Sequence, residues 1–281
     1  KDFITKLTPY LSELELYKKK IGTDIKTTTS NIFLSDNKIL KKYKLDSGFY
    51  AGIKNIFPGS GYIDFYGNDI FILSSRGVLV FRDRSINNEA NFKQIKNNIE
   101  EFIGIDQFRK SNKISIKDLL ISRNKIYVSY THEIEKDCWN TSLIFGEINY
   151  TNIVFKELFS SPQCIHSTKN IDKEFEMHQS GGKVIPFDEN NVLMTIGDYR
   201  SRYLSQNKQS INGKIIQINT RDGSYKIISM GHRNPQGLFF DKKNNFLLET
   251  EHGPMGGDEI NLIQINQISQ NNIQNFGWPI S

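Results

Sequence analysis

The sequence predicts an all-β protein of the β-propeller type, on three observations. Short apolar segments of strand length alternate with polar turns from about Gly61 onwards. The 19 Phe and 12 Tyr residues suit half-buried strands better than helices. A hairpin followed by a long loop recurs at intervals of about 50 to 60 residues, a repeat length typical of propeller blades.

The first 45 residues are predicted to form a leading segment, and residues 46–281 the propeller. A short helix is expected over Phe3–Tyr17, followed by the basic run Lys18–Lys20, which suits a helix C-terminus. The apolar residues that carry the helical spacing are Ile4, Leu7, Leu11 and Leu14.

Four rounds of strands and turns follow the leading segment. The predicted strands are 62–66, 69–75 and 78–81 in the first round, 117–122, 125–130 and 143–148 in the second, 183–186, 192–195 and 214–219 in the third, and 237–240, 246–249 and 259–263 in the fourth. A β-sandwich would also show short strands with frequent turns. The recurrence of hairpin plus long loop favours the propeller, in which loops from one face converge on the central axis.

Composition excludes several other classes of protein. The 36 Lys and Arg residues exceed the 31 Asp and Glu residues by 5, and this excess is spread along the chain, which gives little support to nucleic-acid binding. No run of about 18 apolar residues predicts a membrane span. The chain starts at Lys1 without a secretory signal and stops just after a turn-like GWP, so we expect an excerpt of a longer protein or a mature chain.

The two cysteines leave two possibilities open. Cys138 and Cys164 are separated by a stretch that reads as two strands, so a disulfide between neighbouring strands is one interpretation. Two unpaired thiols in a reducing compartment are the other.

The first candidate for chemistry is His178, within EMHQSGGK just before a predicted strand. A neutral imidazole is well suited to remove a proton near neutral pH, although most single histidines are structural or simply exposed. The following Gly181-Gly182 pair lets backbone approach a ligand closely, or serves an ordinary tight turn.

The second candidate is the loop GHRNPQG, residues 231–237. Arg233 offers a rigid fork of donors to an anionic or carbonyl oxygen, Asn234 adds an amide, and Pro235 stiffens the loop. A purely structural interpretation, in which Arg233 pairs with an acid and His232 caps a turn, carries equal weight at this point.

The third candidate is EHGPMGGDEIN, residues 251–261. The backbone carbonyls of Gly253 and Pro254 are hard oxygen ligands of the kind that Ca²⁺ accepts, and Asp258 and Glu259 are placed to orient the loop. Residue types alone would favour an ordinary glycine-rich hairpin with solvated acids.

Taken in order, these loops resemble the glucose/sorbosone dehydrogenase family, which includes soluble pyrroloquinoline quinone (PQQ) glucose dehydrogenases and aldose sugar dehydrogenases. The segments that carry the resemblance are HQSGG, TIGD, NGKIIQIN, GHRNPQGL, EHGP with GGDEINLI, and NFGWP. They cover roughly the C-terminal hundred residues. Before Lys117 the resemblance is limited to a repeat of strands and turns like that of propeller blades.

The resemblance implies a six-bladed propeller that holds PQQ and Ca²⁺, and a sugar oxidation in which hydride passes from the anomeric carbon to the quinone. By position, His178 matches the general base, Arg233 the residue that polarises the quinone carbonyl, and Asn234 a cofactor contact. Gly253 and Pro254 match the carbonyls that ligate calcium. The family operates in the periplasm or outside the cell, with a sugar substrate and an external electron acceptor.

Some features depart from the family pattern. His252, a further cofactor-contact candidate, stands where some relatives have Gln, and Met177 stands where some have a polar residue. The family's usual opening blade is absent near the N-terminus, and the basic residues that hold the cofactor carboxylates in relatives lie in later blades. The alternative function is a non-catalytic propeller that binds a carbohydrate or protein partner.

Overall fold

The computed structural model of the chain describes residues 4, 11, 24–25, 27–45, 61–74, 77–83, 91–103, 116–268 and 272–280. Strands make up nearly all of the regular structure in these ranges, which confirms the predicted all-β class. In chain order the strands are β1 (Asp24–Ile25), β2 (Thr28–Phe33), β3 (Ile39–Lys44), β4 (Gly61–Tyr66), β5 (Asp69–Ser74), β6 (Leu79–Asp83), β7 (Phe92–Asn97), β8 (Ile116–Ser122), β9 (Lys125–Glu135), β10 (Cys138–Glu147), β11 (Asn152–Ile153), β12 (Lys156–Ser160), β13 (Ile165–His166), β14 (Gly181–Pro186), β15 (Asn191–Ile196), β16 (Lys214–Asn219), β17 (Tyr225–Met230), β18 (Pro235–Asp241), β19 (Phe246–Glu251), β20 (Glu259–Gln264) and β21 (Gln274–Asn275).

One compact unit comprises residues 1–102, 123–125 and 146–155. Its main sheet has the order β1-β7-β6-β5-β4, with antiparallel neighbours, and β11 joins β7 in parallel. Phe71, Leu73 and Leu79 are fully buried, so the apolar runs of the first predicted round form the core of this sheet. A separate hairpin, β2 with β3, is exposed along its length. Apart from Ile4 and Leu11, the predicted helix over Phe3–Tyr17 lies outside the described residues.

The other unit comprises residues 103–122, 126–145 and 156–281. It holds three sheets with the orders β12-β10-β9-β8, β14-β15-β16-β17-β21 and β18-β19-β20. Neighbours from β14 to β17 and from β18 to β20 are antiparallel, and β21 joins β17 in parallel. The strands that come first along the chain in these sheets are β8, β14 and β18. β14 contacts both β8 and β18, as the inner strands of successive blades do. A single helical turn, α1 (Tyr203–Gln206), follows β15.

The core of this unit lies between successive sheets. Along β15, Val192 and Met194 pack in one apolar cluster and Leu193 packs in another, because successive side chains of a strand point to opposite faces. Both faces of β15 are therefore buried, and its sequence is an unbroken apolar run over these three residues rather than an alternating one.

A disulfide bond joins Cys138, at the start of β10, to Cys164, next to β13. The two Cα atoms are 5.3 Å apart, and β13 pairs with β10 beside the bridge. The open question from the sequence is thus answered in favour of the bridge. Among the described residues, no helix is long and apolar enough to cross a membrane.

Candidate active site

Four loops of the second unit lie at neighbouring strand ends. Residues 176–180 lead into β14, residues 197–200 follow β15, residues 231–234 lead into β18, and residues 252–258 follow β19. In an antiparallel pair one strand begins where its partner ends, so Gly181 lies opposite Ile196 and Pro235 lies opposite Glu251. The strand pairing therefore places residues 176–180 beside residues 197–200, and residues 231–234 beside residues 252–258.

Backbone hydrogen bonds join the four loops in series. The bonds run from the N–H of Tyr199 to the carbonyl of Gln179 (2.9 Å), from the N–H of Asp198 to the carbonyl of Arg233 (2.9 Å), and from the N–H of His252 to the carbonyl of Asn234 (3.2 Å). We call this series the loop ladder. It brings together the segments of all three sequence-predicted candidates.

His178 is exposed and lies in a turn between two buried residues, Met177 and Gln179. Its backbone N–H donates to Oε1 of Glu176 at 3.2 Å. The buried neighbours fix the backbone of the turn while the imidazole faces outward. An imidazole in this position is accessible to a small-molecule substrate.

The guanidinium of Arg233 is held on three sides. Nη1 donates to the carbonyl oxygen of His252 at 2.8 Å. With its amide nitrogen turned toward Asp198 Oδ1 (3.1 Å), Gln179 accepts a hydrogen bond from Nη2 at 2.8 Å. The Trp278 ring lies 5.5 Å from the guanidinium carbon, a cation–π distance. These contacts use two of the five N–H donors of the fork and orient it rigidly.

Asn234 is buried and links two loops. Its Oδ1 accepts the backbone N–H of Gly181 at 3.2 Å, and its own backbone N–H donates to Oε2 of Glu251 at 3.2 Å. The side chain therefore fixes the start of β14 against the loop that carries Arg233.

Asp198 is a buried acceptor to which three loops contribute. Its carboxyl accepts the N–H of Arg200 and the indole N–H of Trp278, both at 2.8 Å, besides the amide of Gln179. Burial raises the pKa of Asp198 to about 6, against the opposing effect of these donors and of nearby Arg233. The TIGD motif alone does not reveal this role of Asp198, because Gln179 and Trp278 come from distant segments.

The EHGP loop turns tightly. Gly253 donates its N–H to Oδ1 of Asp258 at 3.1 Å, as expected of an acid that orients the loop, and the carbonyl of Pro254 accepts the N–H of Gly257 at 2.7 Å. A Cβ on Gly253 would lie 1.6 Å from the Gly257 carbonyl oxygen, so only glycine fits there. His252 is exposed, with Nδ1 3.6 Å from Oδ2 of Asp258.

An open cleft of about 380 Å³ adjoins this loop. Its lining residues are Gln236, Thr250, Glu251, His252, Asp258, Glu259 and Ile260. Of the predicted cofactor contacts, His252 lines this cleft, whereas His178 and Arg233 are not among its lining residues. The cleft thus extends the candidate site on the side of the EHGP loop.

His232 and Lys214 are two buried polar residues that support the candidate site through hydrogen bonds. His232 is fully buried, and Nε2 lies 2.8 Å from the Ser229 hydroxyl, so it does not simply cap a turn. Lys214 is also fully buried and donates to the carbonyls of Leu204 (2.8 Å), Ser205 (2.9 Å) and Asn212 (2.9 Å). Burial lowers its pKa to about 7. The NGK segment gave no signal of this role.

Blade-like sheets with a polar site at their loops are typical of an all-β protein of the propeller class. Comparison with known proteins identifies the family. The Glucose / Sorbosone dehydrogenase family matches residues 113–281, well over half of the chain. The chain belongs to this family. The match extends about sixty residues further toward the N-terminus than the motifs alone indicated.

Two curated relatives match the chain over part of their length. Aldose sugar dehydrogenase YliI of Escherichia coli is 29% identical over 114 residues, covering 36% of this chain and 29% of the relative. Quinoprotein glucose dehydrogenase B of Acinetobacter calcoaceticus is 35% identical over 133 residues, covering 36% of this chain and 26% of the relative. The chain therefore matches less than a third of either relative.

Solved structures share the fold. The PQQ-bound aldose sugar dehydrogenase of Streptomyces coelicolor superposes with a TM-score of 0.59 at 18% identity, covering 80% of this chain and 64% of that one. The apo form of the Escherichia coli aldose sugar dehydrogenase gives 0.53 at 17% identity, covering 93% and 65%.

Proposed function

We propose that this protein is a PQQ-dependent oxidoreductase that oxidises the anomeric hydroxyl of an aldose by hydride transfer to the quinone. The observation that carries the proposal is the loop ladder, which joins the turn of exposed His178 to the loop of Arg233. A proton acceptor and a fixed cation on adjoining loops suit a reaction in which a proton and a hydride leave the same substrate. Family membership supports the same reaction class.

Each candidate residue has a distinct part in this proposal. His178 takes the proton of the anomeric hydroxyl at an imidazole nitrogen. Arg233 presents its remaining N–H donors to the quinone oxygen on which negative charge develops. Asn234 holds the Arg233 loop against β14, and His252 contributes its carbonyl to the orientation of the guanidinium and lines the adjoining cleft.

The residues present fit both cofactors. When bound, PQQ supplies a quinone that accepts two electrons as hydride. The N–H donors of Arg233 that remain beside its described contacts are suited to a carbonyl oxygen of such a group. For Ca²⁺, Gly253 and Pro254 offer carbonyl oxygens, and a carbonyl that already accepts one hydrogen bond retains a second lone pair for a cation.

Reconstitution tests the proposal directly. The protein is mixed with PQQ and Ca²⁺, and reduction of a redox dye is followed with a panel of aldoses. We expect turnover that falls about 10²- to 10⁴-fold in His178→Gln. His166→Gln is the matched control, because His166 is also partly exposed and its described ionic contact, Glu135 at 4.0 Å, lies outside the ladder. Absence of both PQQ binding and turnover would reject the proposal.

Arginine variants separate orientation from charge. Arg233→Lys keeps the positive charge and loses the planar fork, so we expect weaker PQQ binding and slower turnover. Arg221→Lys, at an exposed turn, is its control and should leave both unchanged. A protein that binds a carbohydrate but shows no turnover with any aldose in the presence of bound PQQ would favour the non-catalytic alternative.

The remaining parts of the proposal concern the whole protein. We propose six blades for the complete ring, with a sugar as substrate, an external electron acceptor and no nucleic-acid partner. The disulfide between Cys138 and Cys164 supports a periplasmic or secreted location, because such bonds persist in oxidising compartments. Residues 46–281 are proposed to belong to the propeller, and residues 1–45 to a leading segment.

A further inference from the structure

A group of four polar side chains, three of them buried and one partly buried, lies under the Arg233 loop and has no part in the reaction proposed above. Nδ1 of His232 lies 3.1 Å from Oε1 of Glu251 and 3.6 Å from Oε2 of Glu249. The amide nitrogen of Asn261 donates to the same two oxygens, at 3.1 Å and 3.0 Å. His232 and Glu249 are fully buried and Glu251 is 5% exposed.

The second oxygen of Glu251 faces the candidate site. Oε2 accepts the backbone N–H groups of Arg233 and Asn234. One carboxyl group thus receives four donors: two successive peptides, an imidazole and an amide. Two successive peptides of the Arg233 loop are thus held by one carboxyl oxygen at the end of β19.

Glu249 has a different environment. Its Oε1 is buried and has no hydrogen-bond partner among the described residues, and no described bond joins Glu249 to the peptides of the Arg233 loop. Burial, with the neighbouring Glu251 as a second cause, raises the pKa of Glu249 to about 8. Two carboxyl groups that share donors in a buried site do not both ionise readily. Glu249 therefore favours its neutral form at pH 7, and Glu251 is the member of the pair that bonds to the Arg233 loop.

We propose that Glu251 is a positioning residue of the candidate site, which sets the orientation of the Arg233 guanidinium by fixing the peptides of Arg233 and Asn234. The role in cofactor binding rests on the proposed function. The effect on the two peptides does not, because it depends only on contacts within this chain. Among the described residues, the titratable neighbours of Glu251 are His232, Glu249 and, through Asn261, Glu259 (3.2 Å from the amide nitrogen).

Two isosteric substitutions distinguish Glu251 from its neighbour. Glu251→Gln leaves one oxygen for four donors, and an amide oxygen is a weaker acceptor than a carboxylate oxygen. Its NH₂ group displaces the peptide N–H groups in one orientation and the donors of His232 and Asn261 in the other, so the bonds to the peptides are lost or weakened in either case. Glu249→Gln replaces a neutral acid by a neutral amide. It is the matched control, because Glu249 belongs to the same group of side chains as Glu251 but has no described bond to the peptides of the Arg233 loop.

Amide hydrogen exchange measures the positioning without any cofactor. In the parent, the N–H groups of Arg233 and Asn234 should be protected. A lost or weakened acceptor leaves these donors poorly satisfied, so their exchange should accelerate about 10- to 100-fold in Glu251→Gln. Exchange at the two peptides should stay within about twofold of the parent in Glu249→Gln. Equal acceleration in both variants, or no acceleration in Glu251→Gln, would overturn the proposal.

A PQQ titration connects the positioning to the site. Glu251→Gln should weaken PQQ binding about tenfold or more in the parent background and much less in the Arg233→Lys background, because its effect passes through the guanidinium. Equal losses in both backgrounds would show a general structural effect and would contradict the assignment. If the parent itself does not bind PQQ, the proposed function fails while the exchange experiment still decides the role of Glu251.

Two further measurements guard against other outcomes. If Glu251→Gln does not fold, Asn261→Ala is used in its place. It removes one donor from the Glu251 carboxyl group and leaves in place the hydrogen bonds from the N–H groups of Arg233 and Asn234. A smaller acceleration of hydrogen exchange at these two amides is then expected. Because ligand atoms of His232, Glu249 and Glu251 lie within 4.8 Å of one another, metal analysis is the second measurement. A stoichiometric metal ion lost in Glu249→Gln would replace the neutral-acid assignment and overturn the proposal.

Discussion

The indole N–H of Trp278 donates to Oδ2 of Asp198 at 2.8 Å, across 80 positions of sequence. The same indole ring lies beside the guanidinium of Arg233, and the other carboxyl oxygen of Asp198 receives the amide of Gln179. Trp278 therefore fixes the candidate arginine in two ways, through its ring face and through Asp198.

This relationship predicts that Trp278→Phe and Asp198→Asn are coupled. Trp278→Phe keeps an aromatic ring but removes the N–H, so we expect a loss of about 1.5–3 kcal/mol in the free energy of unfolding at pH 8. Urea unfolding of the parent, both single variants and the double variant measures the coupling. The double variant should lose at least 0.5 kcal/mol less than the sum of the single losses, roughly the threshold for residues in contact. Additive losses would show that the bond contributes no stability.

Asp198 also predicts a pH-dependent difference in stability. Burial raises its pKa to about 6 from an ordinary value of 3.8. Because the pKa of Asp198 is higher in the folded state than in the unfolded state, protonation of Asp198 favours folding. This contribution to stability is complete below about pH 3.8 and is lost as the pH rises through about 6. The stability advantage of the parent over Asp198→Asn should therefore shrink by about 3 kcal/mol between pH 3.5 and pH 7. A constant difference across this range, in denaturant titrations of both proteins, would contradict the prediction.

Gly197 is predicted to tolerate no side chain. A Cβ at this position would lie 2.2 Å from the carbonyl oxygen of Gln179, which is the acceptor in the first bond of the loop ladder. Gly197→Ala should cost about 1–3 kcal/mol of stability and should weaken PQQ binding as the His178 turn is displaced. Gly61→Ala is the control: its nearest contact would be 3.5 Å, so thermal unfolding should change little.

Lys214→Met is predicted to be strongly destabilising. The substitution keeps the length of the side chain but leaves three buried carbonyls, those of Leu204, Ser205 and Asn212, without their shared donor. We expect a loss of about 3 kcal/mol or more in the free energy of unfolding, measured with urea. Lys226→Met, at an exposed position of β17, should stay within about 0.5 kcal/mol of the parent. Similar losses in both variants would show that the buried contacts of Lys214 are not responsible.

Much of the fold could be predicted because the strands near the core have strong patterns. The predicted strand at 192–195 coincides with β15, whose apolar side chains are buried on both faces, and the strand at 214–219 coincides with β16. The strands β7, β12 and β17 and the exposed hairpin of β2 and β3 were missed. In β12, KELFS, a single residue is buried, so the apolar signal is too weak to distinguish a strand from a loop.

The candidate site was predictable in its exposed parts and not in its buried ones. His178 and Arg233 stand in loops with recognisable motifs, and the topology brings these loops together. The partners that fix the arginine, Gln179, Trp278 and Glu251, act through contacts between segments distant in sequence. Sequence spacing alone does not reveal such contacts. Glu251 even lies inside the EHGP motif, where its position as the last residue of β19 conceals that the carboxyl points toward another loop.

The loop ladder is built from main-chain atoms only, so an exposed side chain of its loops can change without removing one of its bonds. Exposed positions such as 200 and 255 can then be varied in an engineering library while His178 and His252 are kept and the scaffold retains its shape. Selectivity for a new sugar would be sought by exchanging those outward side chains, with the glycines and the buried acids kept fixed.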